Sequence, residues 1–107
     1  MAVDISFCVV NTDQRELLLR CLDAIGAERE QLDLETEVLV LDNGSSDGSA
    51  AAARQHPATS ELLALAQRRG KGENDSELLQ RARALLPAAQ RGLRAAAGRD
   101  GRIARGA

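Results

Sequence analysis

Two apolar runs near the start of the chain are each followed by polar turn residues. Ile5 to Val10 is interrupted only by Ser6, and Val38 to Leu41 is unbroken. Short runs of this kind, rich in β-branched residues, predict strands covered on both faces, as in a parallel sheet. Asn11, Thr12 and Asp13 close the first run, and Asp13 with Glu16 makes a capping-box pattern. Leu18, Cys21, Leu22 and Ile25 then recur at i, i+3, i+4 and i+7, which predicts a helix from Asp13 to Glu30 with one apolar stripe on the sheet. It should fray in the charged segment from Glu28 to Glu37.

The second run ends at Asp42 in a stretch made for turning, Asp-Asn-Gly-Ser-Ser-Asp-Gly-Ser. Asn43 and Gly44 tolerate left-handed backbone, and Ser46 or Asp47 can cap a helix from about Gly48 to Gln55. His56-Pro57 stops that helix. The only histidine, at a helix end, is given no role beyond a surface position. From Glu61 to Gln67 the residues alone leave helix and strand open. Arg68 to Gly72 is a basic loop without the Lys-Ser/Thr pair of a P-loop. Asp75 to Leu86 predicts a helix capped by Asn74 or Asp75, with Leu78, Leu79, Ala82 and Leu86 on one side. Pro87 can open another helix to about Ala97, and Gly98 to Ala107 reads as a loose Gly/Arg tail.

Strand, polar turn and helix, given twice, make an α/β fold whose first two strands are parallel and joined by a right-handed crossover. In open parallel sheets ligands bind where the turns leave the carboxyl ends of strands. The turn from Asp42 to Ser49 is longer than capping requires, which singles it out.

Taken together, Asp4-Ile-Ser-Phe-Cys-Val-Val-Asn11, Glu16-Leu-Leu-Leu-Arg-Cys-Leu22 and Leu41-Asp-Asn-Gly-Ser-Ser-Asp-Gly-Ser49 resemble the start of a family 2 glycosyltransferase, closest to its rhamnosyltransferase-like branch. The resemblance covers about the first half of the chain. It implies a Rossmann-like (GT-A type) parallel sheet with flanking helices, incomplete at its C-terminal part, and a third strand in Glu61 to Gln67. Residues 1–97 would then be the nucleotide-sugar-binding half of such a domain. The implied ligand is a UDP- or dTDP-linked diphosphosugar. Asn11 and Thr12 after strand one, and Asp42, Asn43 and Gly44 after strand two, would flank its base and ribose. Gly70, Gly72 and Asn74 echo a Gly-x-Gly-x-x-Asn segment that lines the pocket in the family.

The resemblance also shows what is missing. Thr12 stands where many members carry a Tyr that stacks on the base. The Mg²⁺ or Mn²⁺ of the family is held by an Asp-x-Asp or Asn-x-Asp element after a fourth strand. Here Leu85-Leu86-Pro87 resembles the segment just past that element, as though strand and carboxylates were excised. No metal ligand and no catalytic base is identified in these residues, so the expected function is nucleotide-sugar binding with weak or no transfer. The alternative is a non-catalytic module, descended from a glycosyltransferase, that docks a nucleotide or a protein.

Composition narrows this further. At 107 residues the chain is one small domain or part of a larger one. The net charge of −2 hides an asymmetry: residues 1–53 hold 11 acidic and 3 basic side chains, residues 54–107 hold 5 and 11. With one Phe and no Tyr or Trp to stack bases, the basic half gives no support to nucleic-acid binding. Cys8 and Cys21 lack metal spacing, and no signal peptide or membrane-length apolar run is present, so free thiols and a cytoplasmic setting are expected.

Overall fold

The two apolar runs are strands, and they lie side by side. In the computed structural model, which describes residues 2–85 and 103–105, β1 (Ile5–Asn11) and β2 (Thr36–Asp42) pair in parallel along their whole length. Strand β3 (Glu61–Ala64) pairs with β2, and β4 (Ile103–Arg105) with β1, giving an all-parallel sheet in the order β3-β2-β1-β4. Helices α1 (Arg15–Gln31), α2 (Ser49–Gln55) and α3 (Lys71–Arg81) follow the first three strands, and a 3-10 turn spans Arg83–Leu85. This is the expected α/β arrangement. Among the described residues no helix is long and apolar enough to cross a membrane.

Alternation along the strands builds a core on each face of the sheet. Phe7, Val9, Val38 and Val40 point to one side and meet Leu18, Leu22 and Ile25 of α1 and Ala53 of α2. Cys8, Leu39 and Leu41 point to the other and meet Leu78 of α3 and Ala82 just beyond it. Val38 to Leu41 are at most 2% exposed, which explains why that run contains no polar residue. Each such side chain stabilises the fold by about 1.5–3 kcal/mol. The C-terminal end of α1 is held by Arg29, which donates to Thr36 Oγ1 (2.7 Å), the Thr36 carbonyl (3.1 Å) and the Ala58 carbonyl (2.9 Å).

Several local expectations are corrected. The Asp13–Glu16 capping box does not form, and Gln14 occupies the N-cap without a side-chain bond. The Asp13 carboxylate is spent elsewhere, and Asp47 Oδ2 accepts from the Arg15 amide instead (3.1 Å). Helix α1 ends at Gln31, within the charged segment where its end was expected. Strand β2 begins at Thr36, so Glu37, expected in a charged loop, is 3% exposed inside the sheet. It is tolerated there because Ser6 Oγ (2.6 Å), the Arg83 amide (2.7 Å) and Arg83 Nε (2.9 Å) all donate to its carboxylate.

Helix α3 starts at Lys71, four residues before the expected Asp75. Gly70 is its N-cap and Glu73 Oε1 accepts from the Gly70 amide (3.1 Å), so neither Asn74 nor Asp75 is the cap. The helix stops at Arg81, short of Leu86; Leu86 and the helix expected from Pro87 to Ala97 lie outside the described residues. Ile103–Arg105, expected in a loose tail, form β4. It lies along the edge of β1 opposite β2.

Candidate functional site

Parallel strands in register end together. Asn11 lies opposite Asp42, and Asp42 opposite Ala64, so the turns after β1, β2 and β3 emerge along one edge of the sheet. Asp42 is the centre of that edge. It is 2% exposed, and both carboxylate oxygens are engaged. Oδ1 accepts from Asn11 Nδ2 (3.0 Å) and Ser45 Oγ (2.7 Å), and Oδ2 accepts from the Ser45 amide (3.0 Å). The Asp42 carbonyl accepts from the Leu65 amide (2.9 Å) and the Asn11 carbonyl from the Asn43 amide (2.8 Å). A buried carboxylate must be satisfied in this way, and here the turn's own residues do it.

Asn43 works like one more strand residue. Its Oδ1 accepts from the Arg69 amide (2.8 Å) and its Nδ2 donates to the Arg69 carbonyl (3.2 Å), fastening the second turn to the third. Gly44 is in left-handed backbone (φ 69°), and a Cβ there would stand 3.1 Å from the Arg68 amide nitrogen and 3.2 Å from the Gln67 carbonyl carbon. Glycine is needed for both reasons. Asn74, 1% exposed in the first turn of α3, accepts from Arg69 Nε through Oδ1 (3.2 Å). It stands two residues past Gly72, one fewer than the Gly-x-Gly-x-x-Asn spacing, and within a helix rather than a loop. Arg69 is thus clamped between Asn43 and Asn74, while its Nη2 is buried without a hydrogen-bond partner.

Five of the six expected residues, Asn11, Asp42, Asn43, Gly44 and Asn74, meet in this one network. Thr12 does not join it; it lines a hollow of about 100 Å³ on the α1 side with Val10, Gln14, Leu17 and Cys21. Sequence reasoning missed Asp13. This residue has positive φ (50°), its amide donates to Ser45 Oγ (2.8 Å), and its Oδ1 accepts from the Ser46 amide (2.7 Å). Its Oδ2 is ion-paired with Arg68 Nη2. Aspartate is one of the few residues that visits left-handed backbone readily, but the capping pattern with Glu16 concealed that reading. The N-cap of α2 is Gly48, without a side-chain cap bond, rather than Ser46 or Asp47; Asp47 instead accepts from Ser49, above all from its hydroxyl, which holds its carboxyl below the usual range.

The divalent ion of the resemblance does not fit these residues. Among the described residues no group of three or more His, Cys, Asp or Glu side chains could hold a metal. Both oxygens of Asp42 and of Asp13 are already engaged.

A cleft of about 630 Å³ opens elsewhere, beside the start of β2, lined in part by Asp23, Gly26, Arg29, Leu34 and His56. Its basic groups are committed to the fold. Arg29 is bound to Thr36 and Ala58, while His56 Nδ1 accepts from the Ala58 amide (3.0 Å) and Nε2 lies 2.7 Å from Asp23 Oδ1. His56 is therefore a tie between α1 and the end of α2, not the bare surface residue expected.

Similarity to known proteins extends over most of the chain. The solved structure of a mannosyltransferase from Pyrobaculum calidifontis, in complex with GDP-Man and Mn²⁺, superposes with a TM-score of 0.61 at 27% identity. The alignment covers 77% of this chain and 25% of the mannosyltransferase, so the chain spans about a quarter of that protein's length. No curated protein sequence matches. The family model for glycosyl transferase family 2 matches residues 6–85, well over half of the chain. With the parallel sheet and the turn network in place, that match assigns the chain to glycosyl transferase family 2.

Proposed function

We propose that these residues are the donor-binding part of a glycosyltransferase, holding the base and ribose of a nucleotide diphosphosugar over the turns that follow β1 and β2. The observation that supports this most is the convergence of Asn11, Asp42, Asn43, Gly44 and Asn74 at the carboxyl ends of the strands, within the family-matched residues. The Asp42 carboxylate aims the Asn11 amide and organises Ser45, and Asn43 fixes the third turn through the Arg69 backbone. A UDP- or dTDP-linked donor is the proposed ligand. The complex with GDP-Man of the similar mannosyltransferase makes GDP the necessary comparison. A reducing, cytoplasmic setting belongs to the same reading.

Residues 1–107 alone are not expected to transfer sugar, with or without Mg²⁺ or Mn²⁺. The carboxylates of the turn network, Asp13 and Asp42, are already engaged. Leaving the departing diphosphate unneutralised costs several kcal/mol; at ~1.4 kcal/mol per tenfold this slows transfer by roughly a hundredfold to a thousandfold. A second reading, a non-catalytic binding module, draws on the same self-satisfied turn.

Calorimetric titration with UDP, dTDP and GDP, without and with Mn²⁺, tests the proposal. Binding without metal is expected, and Asp42→Ala should weaken it about tenfold or more, since hydrogen bonds to a charged group contribute roughly 1.5–3 kcal/mol. Binding that needs metal would reveal a carboxylate pair outside this network. No binding of any of the three would remove the donor-site reading.

A further inference from the structure

The contact between Asp13 and Arg68 joins residues 55 apart in sequence and runs from the turn after β1 to the turn after β3. Between them lies the turn after β2. Asp13 holds that turn through the Ser46 amide (2.7 Å), and the Arg68 backbone and Cγ pack over Gly44. One carboxylate therefore ties all three turns together across the edge where the nucleotide is proposed to bind.

Two features mark this as a contact built to open rather than a permanent brace. Among the described residues Asp13 is the one non-glycine residue with positive φ, a conformation aspartate adopts readily, so its turn does not depend on Arg68 to hold it. Its partner is also accessible: the side chains of Arg68 and Asp13 are 57% and 32% exposed. An ion pair this open is weak and screened by salt. The buried bonds beneath it, Asn11 to Asp42 and Asn43 to Arg69, keep the turns in place when it parts.

We propose that the Asp13–Arg68 pair is a latch across the turns at the strand ends, closed in the free protein and parted when a nucleoside diphosphate binds there. The inference rests on the donor-binding reading for its ligand, but not for the existence of the latch. Apparent affinity falls with the fraction of molecules that are open, so weakening the closed state tightens binding. An exposed pair contributes up to about 1 kcal/mol, so the gain is bounded at about fivefold.

Asp13→Asn is the informative variant. Asparagine adopts positive φ readily and keeps an oxygen for the Ser46 amide, so only the charge that holds Arg68 is lost. Calorimetry with UDP, dTDP and GDP is run on the wild type, Asp13→Asn and Arg68→Ala in low and high salt. Amide hydrogen exchange of the ligand-free proteins is measured alongside. The latch requires tighter binding by both variants, about threefold at low salt, with the difference from wild type shrinking in high salt. It also requires faster exchange in 66–70 in both variants without a change in the exchange of β1 and β2. Unchanged or weaker binding by Asp13→Asn, or unchanged exchange in 66–70, overturns the latch. If no nucleotide binds any of the three proteins, the donor-binding reading fails. The exchange result then still decides whether the pair closes the edge.

Discussion

Glu37 and Gly44 show how much single residues decide here. Glu37 sits between β1 and the 3-10 turn as a buried charge. Burial alone would raise its pKa, but the bonds from Ser6 and from the backbone and side chain of Arg83 outweigh it and hold the carboxyl below its ordinary value of 4.5. A carboxyl whose pKa is depressed by folding adds stability above its unfolded pKa and loses it as pH falls through the folded one. Wild-type stability, measured by urea unfolding, should therefore decline on acidification below about pH 4.5, and Glu37→Gln should flatten that decline. Glu37→Ala at neutral pH should cost about 1–3 kcal/mol, because Ser6 Oγ and the Arg83 amide lose their acceptor. Gly44→Ala should cost at least about 1 kcal/mol through positive φ and the approach of the Gln67–Arg68 backbone.

At the scale of elements, legibility in the sequence followed the physics that each residue answers to. Strands β1 and β2 and the stripe of α1 were readable because burial on both faces leaves no room for polar residues between Val38 and Leu41, and because Leu18, Leu22 and Ile25 repeat at helical spacing. Leu22, fully buried under the sheet, should lose about 2–5 kcal/mol on Leu22→Ala in the same urea assay. The ends were not readable. Asp13 and Glu16 have the spacing of a capping box, yet the carboxylate gains more from Ser46 and Arg68, partners 33 and 55 residues away. Gly70 and Gly72 suggested a loop, but Gly70 is an N-cap and Gly72 lies in the first turn of α3, where a Cβ would meet nothing within 4 Å and no close approach requires glycine. Glu37 was unreadable for the same reason: its acceptor role depends on Arg83, 46 residues on.

For the whole molecule, the sheet sorts chemistry by edge and by face. The two cysteines fall on opposite faces, Cys8 with Leu39 and Leu41, and Cys21 against the α1 side. They should remain thiols, and burial, which pushes the Cys21 thiol up, should make it a slow nucleophile. Alkylation without reductant and then mass spectrometry should label both after unfolding; a two-proton deficit would contradict this. The site shows the same division of what was legible. Asp42, Asn43 and Gly44 could be named because their turn chemistry is local, and Asn11 and Asn74 through the family resemblance. Arg69 and Asp13 could not be named, because their roles depend on the register that brings three strand ends to one edge.

That edge is the central claim, and ligand titration monitored by backbone amide NMR tests it most directly. On adding UDP, dTDP or GDP, the amides of Asn11 to Asp13, Asp42 to Ser46 and Arg68 to Asn74 should shift together and saturate with one affinity, while those of Asp23, Gly26 and His56 stay in place. Shifts gathered around Asp23 and His56 instead, or no saturable shifts at the strand ends with any of the three, would contradict the assignment of this edge as the nucleotide site.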